Sequence, residues 1–289
     1  MAGQTKKPTE AKPEEHKPFV KTADGAIELR LTLPWSLIEK ERSLVVAEMA
    51  KAANIPGFRK GKAPQKLVES QLNSETVQNE VIRHLLPQAY GEAIKKHDIK
   101  PIMDPQIHLD AELVEGKDWE FHALTCEAPE VDLNGYKDAI TKITAKTKIV
   151  VPGKETQPAK LDDVIQALLD SSKVTIPAVL IQKEADRLLA QMLDEIKRLG
   201  MNLDQYLAST GKTVENVRAE YAQKAQTDLK LELVLQKVAE DQKITVEDSE
   251  IQKTIDNAKP EEKTSLTANR YLLASILRQQ KTLDYLKSL

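Results

Sequence analysis

From Leu161 to the C-terminus, apolar side chains return at helical spacing with few interruptions, and this long periodic stretch does most to limit the folds open to the chain. Pro177 suits the start of a helix carrying Leu180, Ile181, Leu188, Met192, Ile196 and Leu199, with Gly200 placed to cap its C-terminus. Thr213 opens another that runs to about Asp241. Thr245 with Asp248 has the form of a capping box, and Pro260 separates that helix from a last one bearing Tyr271, Leu272, Ile276, Leu283 and Leu286. No heptad is sustained, so the helices are expected to pack as arms of irregular length rather than as a coiled coil. Residues 161–289 therefore read as an all-α domain with extended helical arms. The composition agrees, since 30% charged residues, 4% aromatics and ten glycines favour solvated helices over sheets or aromatic pockets.

Residues 18–135 read as a smaller α+β domain. Ile27, Leu29, Leu31 and Leu33 alternate strictly, the period of a strand with one buried face, and Pro34 ends it. A helix follows from Trp35, with Ile38, Val45, Met49 and Ala52 on one side. Pro64 suits the first turn of a short helix. Ser74 is placed to cap a longer one in which Val77, Val81, Leu85, Ala89 and Ala93 recur every fourth residue and Pro87 predicts a kink. Residues 102–113 and 119–126 read as two strands of a hairpin joined by the turn at 115–118. Upstream, residues 1–17 hold Lys, Glu and Pro with almost nothing to bury, which predicts a disordered tail. Residues 136–160 show no helical period and read as a linker with one short strand.

The most unusual string is Pro56-Gly57-Phe58-Arg59-Lys60-Gly61-Lys62-Ala63-Pro64. Arg59, Lys60, Lys62 and Lys66 concentrate positive charge without an intervening acid, while two glycines and two prolines fix a tight turn. An ordinary basic loop faces water with its aromatic ring folded back on the core. This string, however, resembles the GFRxGxxP signature of trigger factors, ribosome-associated chaperones. The resemblance continues through IKPIMDPQIHL and PEVDLNGYKDAI and resumes in KVTIPAVLIQKEADRLLAQM, where Pro177, Leu180, Ile181 and Glu184 match the start of the family's C-terminal arms.

The resemblance implies a ribosome-binding loop made of Gly57, Phe58, Arg59, Lys60, Gly61, Lys62 and Pro64. Its Phe-Arg-Lys core would contact protein and rRNA at the tunnel exit. It implies an ATP-independent chaperone that shields nascent chains, with unfolded polypeptides as further partners; a weak homodimer is a separate expectation that does not rest on the resemblance. Trigger factors usually insert between these parts a domain resembling the FK506-binding isomerases. Residues 137–160 hold no aromatic and one glycine, too little to enclose a prolyl ring, so a form lacking that domain, and not an enzyme, is expected. Alternatives are a SurA-like exported chaperone and an rRNA-binding ribosome assembly factor.

Other features narrow the reading. The net charge of −3 leaves RNA contact to a local basic patch. No apolar run approaches a membrane span and the N-terminus lacks a secretion core, so a cytoplasmic, partly ribosome-bound protein without a membrane partner is expected. The lone Cys126 excludes an internal disulfide and a thiolate metal cage, and the five histidines lack ligand spacing; no metal or cofactor is expected. No catalytic signature is present. Leu188, Met192, Ile196, Leu203 and Tyr206 are the candidate client-binding residues on the arms, although side chains at helical spacing are more often core.

Overall fold

The alternating segment forms the middle of a four-stranded antiparallel sheet in the computed structural model, which describes residues 18–52, 72–147 and 160–289. The strands are β1 (Phe19–Lys21), β2 (Ala26–Leu33), β3 (Gln106–Leu109) and β4 (Trp119–Cys126), in the order β1-β2-β4-β3. Register brings Leu29 opposite Ala123, Leu31 opposite Phe121 and Leu33 opposite Trp119, so the buried positions of β2 and β4 share one face. Against it lie α1 (Trp35–Ala52) and α2 (Ser74–His97), which bury Ile38, Val45 and Val46 from one helix and Val77, Val81 and Leu85 from the other. Full burial of each such aliphatic side chain contributes roughly 1.5–3 kcal/mol.

Local details depart from expectation for physical reasons. β1 is an edge strand absent from the sequence reading, held by three register pairs to β2 and by Phe19 stacked on His97 at 5.0 Å between ring centroids. Asn73, not Ser74, caps α2, its side chain accepting from Glu75 N–H at 2.9 Å. Pro87 lies on the exposed side inside α2, which runs to His97. The first hairpin strand is limited to Gln106–Leu109, where the sequence suggested 102–113; Pro105, just before it, has no N–H to give to a ladder. The short helix expected at Pro64 and the tail at 1–17 lie outside the described residues.

The chain divides into two compact units after Glu127, earlier than the expected boundary at 135. In the second unit β5 (Val131–Asp132) pairs with β6 (Lys173–Val174), and the segment expected to be a linker begins with a helix, α3 (Tyr136–Thr147). This corrects the linker reading over its first half. Tyr136 and Ile140 are buried with Val164 and Leu168 of α4 (Leu161–Ser171), while residues 148–159 lie outside the described part.

Next come α5 (Ala178–Arg198), α6 (Leu203–Thr210) and α7 (Val214–Asp241). The 28 residues of α7 span about 42 Å at the helical rise and thread three separate clusters. Val217 packs with Met192 and Ile196, Ala225 with Ala185 and Leu188, and Val234, Leu235 and Val238 with the α3–α4 residues and Leu286. Gly200, at φ +76°, ends α5 as the sequence predicts, and Thr213 caps α7 by accepting from Asn216 N–H at 3.2 Å. The remaining helices are α8 (Asp248–Asn257), α9 (Pro260–Ala268) and α10 (Arg270–Ser288). Pro260 opens a helix of its own rather than leading into the last one. The reciprocal bond at the start of α8 joins Glu247 N–H to the Glu250 carboxylate at 2.9 Å, two residues beyond the expected Thr245. Small clusters strung along α7, rather than one broad core, give the unit its arm-like helices.

Candidate functional site

Sequence and structure point to different places. Gly57, Phe58, Arg59, Lys60, Gly61, Lys62 and Pro64 all lie outside the described residues. Their described flanks are α1, with Lys51 in its last turn, and the Asn73-capped start of α2.

The five candidate client-binding residues fall around the α5–α7 packing. Leu188, Met192 and Ile196 face α7 and are buried, because α7 covers the stripe they form, so in this conformation they hold the arm together. Leu203 and Tyr206, on α6, are half-buried, with Tyr206 against the Met192–Ile196–Val217 cluster. The two groups share a region of the arm without forming one exposed surface.

Exposed apolar area appears instead on α10. Tyr271 is 91% exposed, Leu272 59% and Ile276 51%. Beside them runs an open groove of about 550 Å³ between α7, the 244–246 segment and α10. Leu235 and Ala239 contribute buried apolar side chains, Ile244, Val246 and Ala274 add further apolar lining, and Tyr271 stands at one end. Gln236, Ser275 and Gln279 supply neutral polar groups, with Glu232 and Arg278 as the charged members.

The 244–246 wall is tied down by cations from α10. Arg278 Nε donates to the Ile244 carbonyl at 3.0 Å, and Lys281 Nζ to the Thr245 carbonyl at 3.0 Å and to Glu250 at 2.6 Å. The Lys281 hydrogen bond, followed by the Glu247 N–H, holds the Glu250 carboxyl below its ordinary pKa. Beneath the same helices, burial and the neighbouring Tyr285 push the Tyr136 hydroxyl well above the usual tyrosine range. Such a groove supplies apolar contact and hydrogen-bonding edges to whatever enters it.

Sequence reasoning placed Tyr271, Leu272 and Ile276 on a helix but not on its open side. The available signal was Tyr271-Leu272-Leu273-Ala274, since four consecutive apolar residues on a helix point in four directions and one neighbour covers only part of them. Only Leu273 of the four is fully buried, against Ile251 and Ile255 of α8. Among the described residues no three His, Cys, Asp or Glu side chains gather as metal ligands, and no helix is long and apolar enough to cross a membrane.

Comparison with known proteins bears on both units. Trigger factors from Staphylococcus aureus strains JH9 and Newman are each 31% identical over 156 residues, 54% of this chain and 33% of theirs. The matched stretch thus spans about a third of those relatives' length. A solved structure concerned with promiscuous substrate recognition in folding and assembly by the trigger factor chaperone superposes with a TM-score of 0.62 at 13% identity, covering 93% of this chain and 99% of that one. At that identity the likeness speaks for the fold. The family model for the bacterial trigger factor protein matches residues 19–168 and that for its C-terminus residues 153–289, and the chain therefore belongs to the trigger factor family.

Proposed function

We propose that this chain is an ATP-independent chaperone that shields unfolded segments on the exposed apolar side of α10 and its adjoining groove. The observation that carries the proposal is Tyr271, Leu272 and Ile276 standing open to solvent beside the 550 Å³ groove, in a chain whose family is known for chaperones. Dispersed apolar side chains without a selective pocket bind many sequences weakly. Leu203 and Tyr206 extend the same role to the edge of the α5–α7 arm. Docking falls to Gly57–Pro64, whose cations suit rRNA phosphates and acidic protein surface and whose Phe58 supplies an apolar anchor. The working place is the cytoplasm, with part of the population on ribosomes.

The chain acts without prolyl isomerase activity. Residues 148–160 are all that separates α3 from α4, whereas an independently folded domain needs about 50 residues or more.

The test replaces Tyr271, Leu272 and Ile276 together by Ser and follows light scattering as a denatured protein is diluted into buffer. Leu272 and Ile276 keep about half or more of their area free, so client contact is worth roughly 1–1.5 kcal/mol each, and the three together about 3 kcal/mol, on the order of a hundredfold in affinity. The parent chain is expected to suppress aggregation and the variant to lose most of that protection with an unchanged unfolding midpoint. Equal protection by the variant would sink the assignment of this surface.

A further inference from the structure

The turn between β5 and α3 carries chemistry that the chaperone reading leaves unused. Of all the asparagines in the chain, only Asn134 is followed by glycine. A glycine has no Cβ to hold its backbone nitrogen away from the preceding side chain. Both residues are exposed, Gly135 sits at φ +64° with nothing within 4 Å of where a Cβ would stand, and its N–H donates to no other described residue. The Asn134 side-chain amide is engaged by the Asp132 carboxylate, Nδ2 to Oδ2 at 2.9 Å.

We propose that Asn134–Gly135 is a site of spontaneous deamidation, with water as the only co-reactant. Gly135 N loses its proton to hydroxide and attacks Asn134 Cγ. A carbon–nitrogen bond forms to close a five-membered succinimide, the Cγ–Nδ2 bond breaks, and the amide nitrogen leaves as ammonia after taking a proton from water. Water then opens the ring at either carbonyl, leaving an aspartyl or an isoaspartyl residue. No electrons are transferred.

The product changes the turn in two ways. A new carboxylate replaces the amide that now donates to Asp132, so a hydrogen bond becomes a like-charge contact. The isoaspartyl form also lengthens the main chain where helix geometry is set. Tyr136 N–H donates to the Leu133 carbonyl at 3.1 Å and Ala139 N–H to the Gly135 carbonyl at 3.2 Å, and Tyr136 is 6% exposed in the core shared with α4 and α7. A longer chain at this point shifts the start of α3 against that core, so the turn loosens as the protein ages.

The experiment incubates the full-length chain in warm, mildly alkaline buffer and follows released ammonia, peptide masses and methylation by an isoaspartyl methyltransferase. The peptide holding Asn134 is expected to convert first, at a rate rising with hydroxide concentration. Asn134→Gln should abolish the signal, because its longer side chain closes a ring far more slowly. The exposed Asn257, followed by alanine, is the internal control. If the Asn257 peptide converts as fast, or if Asn134 reacts only in urea-unfolded chain, the proposal is overturned.

Discussion

Replacing Ile140 by Ala asks directly whether α3 belongs to the core of the second unit. Ile140 is fully buried between Tyr136, Val164, Leu168 and the α7 residues Val234 and Val238. Removing most of a buried isoleucine costs about 2–5 kcal/mol, counting the cavity as well as lost transfer energy. For a unit of this size each kilocalorie lowers the midpoint by roughly 2–4 °C, so a fall of about 6–12 °C is expected for 3 kcal/mol. The adjacent Thr141→Ala is the control, because Thr141 is exposed and such changes stay within about 0.5 kcal/mol. Two probes separate the units: both tryptophans, Trp35 and Trp119, lie before Glu127, so their fluorescence follows the first unit, while far-ultraviolet circular dichroism follows the helices. Ile140→Ala should shift the dichroism transition and leave the fluorescence transition in place. A shift no larger than that of Thr141→Ala would mean that α3 is not part of the core.

Further outcomes follow from the docking loop, the α3–α4 connection and the α8–α10 contact. Replacing Phe58, Arg59 and Lys60 by Ala should abolish co-sedimentation with ribosomes at unchanged thermal stability, and parent binding should weaken with salt as phosphate contacts are screened; unchanged pelleting would remove the loop from the docking role. The purified chain should leave a proline-limited refolding reaction, normally tens to hundreds of seconds, unaccelerated, and substoichiometric catalysis would contradict the non-enzymatic proposal. Because Lys281 depresses the folded-state pKa of Glu250, the contact stabilises above the unfolded carboxyl value and is lost as pH falls through the lower folded one. Lys281→Met should therefore flatten the acid limb of the urea midpoint against pH below the ordinary value of 4.5, and an unaltered limb would refute the linkage.

The strand at β2 was legible because four aliphatic residues alternate without a break and one face is dry. Helix α3 was not, for an equally definite reason. Its buried stripe is Tyr136, Ile140 and Thr144, and a count of apolar residues passes over the threonine. Thr144 is only 2% exposed, its hydroxyl donating to the Thr141 carbonyl at 3.2 Å, so a polar residue fills a core position by satisfying itself within the helix. The three residues of β1 are too few to show a period, and the partners that order them, β2 and His97, lie elsewhere in the chain.

The same contrast explains what could be known of the sites. The residues proposed for docking, within 57–64, are contiguous, so their chemistry can be spelled out by a short string alone. The α7–α10 groove is assembled from 232–246 and 271–282, stretches that no local pattern connects. Nor does residue type distinguish Leu188 from Leu272, since both are leucines at helical spacing. Leu188 is 9% exposed because α7 runs along α5, while Leu272 is 59% exposed on a side of α10 that is left open. Hydropathy predicts that a side chain seeks cover, and the fold decides whether a helix supplies it. In an arm built from small clusters along one long helix, some apolar side chains remain uncovered, and those are the ones available to another chain.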